Sequence, residues 1–221
     1  MELLSRHRIF QTDDPQAGEQ FANRIWERNK TRVTDGNYGL RWNHVDLSRS
    51  SLSQVAFDCS ADLKVEGALS DRFRLHFHQS GLVLHNVNGH EVVSAPGNTV
   101  VHAPGIDLQL ELQPFNLLLV SLDGDFVRSA MAQRFGKLPP IERLAGALPR
   151  SGRSETLQST AFWLARELDL PHSPLAQPGK PRVHAERLLV SLFAECLSEV
   201  VSHGAEPIRD IGETHVHRAM E

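Results

Sequence analysis

The sequence predicts an α+β chain: one leading helix, then a sandwich or small barrel of short strands, then a helical second half. Three observations carry this reading. From Gly39 to about Leu122, short runs alternate apolar and polar residues, with turn-rich breaks between them. After Asp123 the apolar spacing becomes helical. Ahead of both, Asp14-Pro15 opens a stretch in which Phe21, Ile25 and Trp26 recur at helical intervals.

Each element has its own signal. Asp14 is an N-cap residue and Pro15 fits the first helical position, where no N–H is needed. This helix is expected to fade near Asn29–Arg32, ahead of "TDGNYG". The strand candidates are "LRWNHVDL", "SQVAFDC", "LKVEG", "RFRLHFH", "LVLHNV", "EVV", "TVVHA", "DLQLEL" and "NLLLVSL". Pro96-Gly97 and Pro104-Gly105 bracket one strand of five or six residues. In the second half, "DFVRSAMAQRFG" ends on Gly136, a C′ residue. A second helix opens with Ser154 as its cap and stops at Pro171. "PHSPLAQPGKP" is a semi-rigid connector to the longest helix. That helix carries Leu188, Leu189, Leu192, Phe193, Cys196, Leu197, Val200 and Val201 as a broad apolar stripe. Residues 205–213 read as a linker, and "ETHVHRAME" starts a further helix.

Composition sets limits. A chain of 221 residues that is 40% hydrophobic can bury one core plus an appendage, or two small packed units. No apolar run reaches membrane-spanning length, and the N-terminus lacks the apolar segment of a signal peptide. Cys59 and Cys196 are far apart, in no metal-like spacing, and fit a cytoplasmic protein. A net charge of −4 argues against nucleic-acid binding by these residues alone. No P-loop, dinucleotide fingerprint or nucleophile elbow occurs, so the expectation is that the chain is not an enzyme and holds no catalytic residues.

Two constellations stand out. His76-Phe77-His78 puts two imidazoles on one strand face, and His102 follows the first Pro-Gly pair. Arg72 and Arg74 share that face, either as an anionic pocket or as solvated strand charges. Metal sites built on such an H-x-H continue with a glutamate a few residues on. Here Gly81, Leu82 and Val83 stand instead, so no metal or other cofactor is expected. The second constellation is Arg28 and Arg32, followed by Asp46-Leu47-Ser48. Arginine presents a planar fork that matches phosphate oxygens and the O6/N7 edge of guanine, and it stacks on purines. A carboxylate at Asp46 accepts from the N1–H and N2–H₂ donors of guanine, and Ser48 can donate or accept beside it. Arginines near a helix end also complement the macrodipole, and Asp-x-Ser turns also cap local backbone. The two halves in order, within one short span, point to a guanine nucleotide.

The order of leading helix, Pro-Gly-rich barrel and helices resembles the N-terminal regulatory half of AraC/XylS-type transcription regulators. "SLDGDFVRSAMAQRFG" is similar to the helix that follows the barrel in that family, and "HVHRAME" to the start of its DNA-binding half. The resemblance implies a cupin-like β-barrel, and it implies this division: 1–38, leading helix and ligand-binding arginine segment; 39–123, barrel; 124–204, helical dimerisation subdomain; 205–221, linker and start of a helix-turn-helix domain. It implies a homodimer, with promoter DNA contacted by residues beyond this sequence. The spacing of Arg28, Arg32, Asp46 and Ser48 resembles the cyclic di-GMP motif of PilZ domains, with Ser51 where that motif has glycine. Together these imply an AraC-type activator that answers to cyclic di-GMP, bound as an intercalated pair, and that controls exopolysaccharide genes. The ligand-binding set is then Arg28, Arg32, Asp46, Ser48 and Ser51. The alternatives are a sensor of a small aromatic or carboxylic compound held in the barrel, and a cupin-like metalloenzyme.

Overall fold

Strand pairing begins earlier than the alternation predicts. In the computed structural model, which describes residues 2–67, 69–136, 140 and 144–202, β1 (Arg8–Thr12) precedes α1 (Pro15–Ile25) and β2 (Asn29–Asp35) follows it. The chain then runs through β3 (Leu40–Asp46), β4 (Ser51–Phe57) and β5 (Ser60–Val65). β1 pairs with β3 and β2 with β5, so two strands of the leading segment join the barrel.

Asp14 caps α1 by accepting from the Gln16 N–H, with Pro15 at the first position. The helix stops at Ile25, before the predicted fade, because its own side chains capture the next backbone donors. Asn23 Oδ1 accepts from the Asn29 N–H at 2.6 Å, and Glu19 Oε2 from the Thr31 N–H at 2.8 Å. Those bonds hold residues 29–31 extended beside the helix.

The remaining strands are β6 (Arg72–Ser80), β7 (Val83–Val87), β8 (His90–Ser94), β9 (Thr99–His102), β10 (Leu108–Leu112), β11 (Phe115–Asp123) and the two-residue β12 (Gly146–Ala147). They form two antiparallel sheets, ordered β1-β3-β4-β11-β6-β9-β12 and β2-β5-β10-β7-β8. Facing each other, these make the cupin-like barrel. β9 has four residues, shorter than expected. The turns around it are those the sequence marks: Gly97 and Gly105 adopt φ of +86° and +78°, which glycine takes without strain.

β6 shows how the layers divide. Phe73, Leu75 and Phe77 point outward and meet helices: Phe73 lies 5.6 Å from Phe193 and Phe77 6.3 Å from Phe162, ring centre to ring centre. Each buried phenylalanine stabilises by about 1.5–3 kcal/mol relative to exposure. Arg74, His76 and His78 alternate with them and point into the barrel, all buried.

The covering helices are α2 (Gly124–Phe135), α3 (Gly152–Asp169) and α4 (Lys180–Ser202). α2 is capped by Asp123 and closes at Gly136, as predicted. The cap of α3 is Ser151, three residues before the predicted Ser154. Ser154 instead completes a capping box, its hydroxyl accepting from the Ser151 N–H at 3.0 Å. On α4 the predicted stripe splits: Leu189, Phe193, Cys196 and Leu197 are buried, whereas Leu188 and Val201 stay exposed. The predicted linker and the helix beginning "ETHVHRAME" lie outside the described residues.

Candidate functional site

Arg28 and Arg32 are not on a helix end. Arg28 stands just before β2, its carbonyl accepting from the Glu66 N–H at 2.7 Å, and Arg32 is within β2. The same-face relation survives the change of element, because four residues is a whole number of strand periods as well as close to one helical turn. It now sets the arginines about 13 Å apart, roughly four residues of strand. Lys30 stands between them on the same face, and Lys64 is its partner on β5.

β2 is the edge strand of its sheet. A row of Lys and Arg on an edge also deters strand pairing with another chain. The row is available, because its ion pairs are solvated. Arg28 Nε lies 3.2 Å from Glu66, and Arg32 pairs with Asp62, both guanidinium side chains being about four-fifths exposed. Such pairs hold their partners weakly. Beside them runs a groove of about 650 Å³ on the outer face of this sheet. Lys30, Arg32 and Lys64 line its β2–β5 side together with Glu19 and Asp62, and Glu91 and Glu111 line its far side; Arg28 stands outside it. The volume lies within the range of small-molecule sites.

Asp46 ends β3 and Ser48 stands in the turn to β4, both exposed. They belong to the other sheet. Among the described residues no hydrogen bond or ion pair joins them to the arginine row. The turn itself is rigid. Leu47 N–H donates to the Ser50 carbonyl at 2.9 Å, and α4 grips the turn from outside. Glu186 accepts from the N–H groups of Arg49 and Ser50, and Arg182 donates to the Asp46 carbonyl at 2.9 Å. The Asp46 carboxylate takes a contact from His44 Nε2 at 3.2 Å. Ser51 differs from the other two. It is buried in β4, paired with Asp46 and Ser121, so its side chain faces no solvent. Among the described residues the non-glycine positions at positive φ are Leu4 and Asn88, so Ser51 bears no strain where the motif has glycine.

The histidine pair also finds company. His76 and His78 on β6, His102 on β9 and His85 on β7 converge inside the barrel. His85 comes from the opposite sheet and donates to or accepts from His102 across 2.8 Å, Nδ1 to Nε2. Burial keeps all four neutral: it pushes His78 down to about 4 and His102 to about 3, and holds His76 and His85 well below the usual imidazole value. Arg74 does not form an anionic pocket, because it is buried against Glu27. His85 escaped the sequence reading: it lies seven residues beyond His78, past the Gly81 turn, and the spacing that the H-x-H pattern asks for ends earlier. The barrel's apolar cavity, lined by His76, Trp42, Phe57, Leu63, Leu110 and Phe115 among others, holds about 80 Å³.

Residues 19–197 match the family model described as the AraC-binding-like domain. Among solved structures, the AraC-like transcriptional activator CuxR is similar at 12% identity and a TM-score of 0.67, over 93% of this chain and 73% of that one. An RmlC-like cupin from Shewanella frigidimarina is similar at 15% identity and a TM-score of 0.32, over 42% of this chain and 82% of that one. The Clostridium difficile EutQ protein is similar at 12% identity and a TM-score of 0.32, over 42% of this chain and 77% of that one. No curated protein sequence matches the chain.

Proposed function

The chain belongs to the AraC-binding-like domain family, and from that premise we propose that it is the effector-binding and dimerisation domain of a bacterial transcription activator whose effector is cyclic di-GMP. The family supports an effector-binding regulatory role, and the fold shared with the activator CuxR supports the activator reading. The observation that carries the choice of ligand is the exposed row of Arg28, just before β2, and Lys30 and Arg32 within it, beside the 650 Å³ groove. Arginines about 13 Å apart suit an extended polyphosphate ligand better than a single small anion. An intercalated pair of cyclic di-GMP molecules offers several phosphates and guanine faces to such a row.

Asp46 and Ser48 read a guanine edge in this proposal. They lie on a different sheet from the arginines, so the ligand reaches both halves either by spanning one barrel as a stacked pair or by bridging two protomers. A homodimer packed through exposed positions of α4 supplies the second route. Promoter DNA is then contacted by a domain beyond residue 204, in the cytoplasm, and the controlled genes are those for exopolysaccharide. Among the described residues no helix is long and apolar enough to cross a membrane.

The interior cavity weighs against the alternative effector. About 80 Å³ falls well short of the roughly 300–1,000 Å³ of small-molecule pockets. Thermal unfolding with a ligand panel tests the choice. Cyclic di-GMP at a hundredfold excess over its Kd stabilises the fold by about 2.7 kcal/mol, whereas cyclic di-AMP and GMP leave the midpoint in place. A shift caused by aromatic acids and not by cyclic di-GMP would overturn the proposal.

A further inference from the structure

Four imidazoles meet inside the barrel, where apolar side chains would pack with less cost. His76, His78, His85 and His102 are each at least nine-tenths buried. Four of their ring nitrogens have no hydrogen-bond partner among the described residues: both of His76, Nε2 of His85 and Nδ1 of His102. Buried polar atoms are nearly always paired, so a group of four unpaired ones calls for a missing partner. One nitrogen from each of His76, His78 and His85 lies within 4.8 Å of the others.

We propose that His76, His78 and His85 bind a divalent transition-metal ion inside the barrel, with His102 as the positioning residue. Three neutral imidazoles suit zinc, cobalt, nickel or ferrous iron, which take nitrogen ligands at about 2.0–2.1 Å. Closing to that distance draws the three nitrogens to roughly 3.4 Å apart. The tautomers fit. If His85 Nδ1–H donates to His102 Nε2, the His85 Nε2 lone pair is free for the ion, which is the usual way an outer residue orients a metal-bound histidine. The positive group nearest the site, Arg74, is already neutralised by Glu27.

Three protein ligands leave a fourth position open. His76 also lines the apolar cavity, and about 80 Å³ there is enough for water or a very small anion. This inference is independent of cyclic di-GMP binding, since the groove and the arginine row share no residue with the cluster. It departs from the expectation of no metal, which rested on the missing glutamate. In the fold, a histidine from the opposite sheet occupies the third corner.

The test begins with the whole chain, stripped by a chelator and titrated with Co²⁺ alone and Zn²⁺ alone. One equivalent of Co²⁺ is expected to bind with the visible absorption of a low-coordinate site, to raise the unfolding midpoint and to be displaced by Zn²⁺. His85→Asn is expected to weaken Co²⁺ by more than about 10-fold, and His102→Asn by about 10–100-fold, whereas exposed His90→Asn leaves affinity unchanged. Should a core variant fail to fold, X-ray absorption on the zinc-loaded natural chain decides instead, with scattering from three imidazoles expected. Folded protein that binds no stoichiometric metal, binding unaffected by His85→Asn, or a zinc spectrum without imidazole would overturn the proposal.

Discussion

Glu186 Oε1 lies 2.5 Å from the Ser50 N and 2.9 Å from the Arg49 N, accepting from both backbone N–H groups. One buried carboxylate on α4 thereby fixes the turn that presents Asp46 and Ser48, and Arg182 holds the same turn through the Asp46 carbonyl. A change at the turn is mechanically a change at the helix whose exposed face carries Leu188.

The Glu186 tie predicts a stability effect with a chemical signature. Glu186→Ala leaves two N–H groups unpaired, the Ser50 one deeply buried, and is expected to cost roughly 2–4 kcal/mol. Glu186→Gln keeps an acceptor and should cost less than half of that. Urea denaturation of the two variants gives the comparison; equal losses would mean that the carboxylate's role is packing.

A second prediction concerns the buried pair Arg74–Glu27. Removing Glu27 strands a guanidinium that is only 2% exposed, and Glu27→Ala is expected to cost about 3–5 kcal/mol. The reverse change is milder. In Arg74→Met, Glu27 still accepts from the Ser70 N–H and hydroxyl, so roughly 1–2 kcal/mol is expected. The order of the two midpoints in urea is the check.

Gly81 supplies the turn that brings β7, and with it His85, back across the barrel. Its φ is +74°, and a Cβ there would lie 1.9 Å from the Pro114 carbonyl oxygen. Both strain and overlap oppose any side chain. Gly81→Ala should destabilise by about 3 kcal/mol or more, visible as a lowered thermal midpoint or as failure to accumulate folded protein. A midpoint near that of the natural chain would show that the turn relaxes.

The dimer proposal rests on the part of the α4 stripe that the core does not use. Leu188 is 45% exposed, whereas Leu189, next to it, is fully buried. Leu188→Arg is therefore expected to leave folding intact and to convert a dimer to a monomer in light scattering at tens of micromolar. A natural chain that is already monomeric, with and without ligand, would contradict the proposed seam.

Much of the architecture was legible because the signals were local. Phe73, Leu75 and Phe77 alternate with polar neighbours, Asp14-Pro15 caps a helix, and Gly97 and Gly105 mark turns. β2 was not legible. Its residues, "NKTRVTD", carry no apolar alternation, since an edge strand buries little of either face, and its extended form depends on Glu19 and Asn23 reaching over from α1. The site was half legible. Residue type and order marked the arginines and the Asp-x-Ser turn, but sequence spacing could not show that they lie on different sheets. It also could not show that Ser51 is buried, or that His85 meets His76, because those facts come from pairing between distant strands.

Calorimetry with cyclic di-GMP on the natural chain, Arg28→Ala and Arg32→Ala tests the central claim most directly. Both arginines are exposed and their ion pairs are solvated, so the variants should unfold at the natural midpoint. Binding is expected at micromolar ligand, with two molecules per protomer for an intercalated pair and at least about a tenfold loss in each variant, or 1.4 kcal/mol. No heat at high micromolar ligand, or an affinity unchanged by Arg28→Ala, would contradict it.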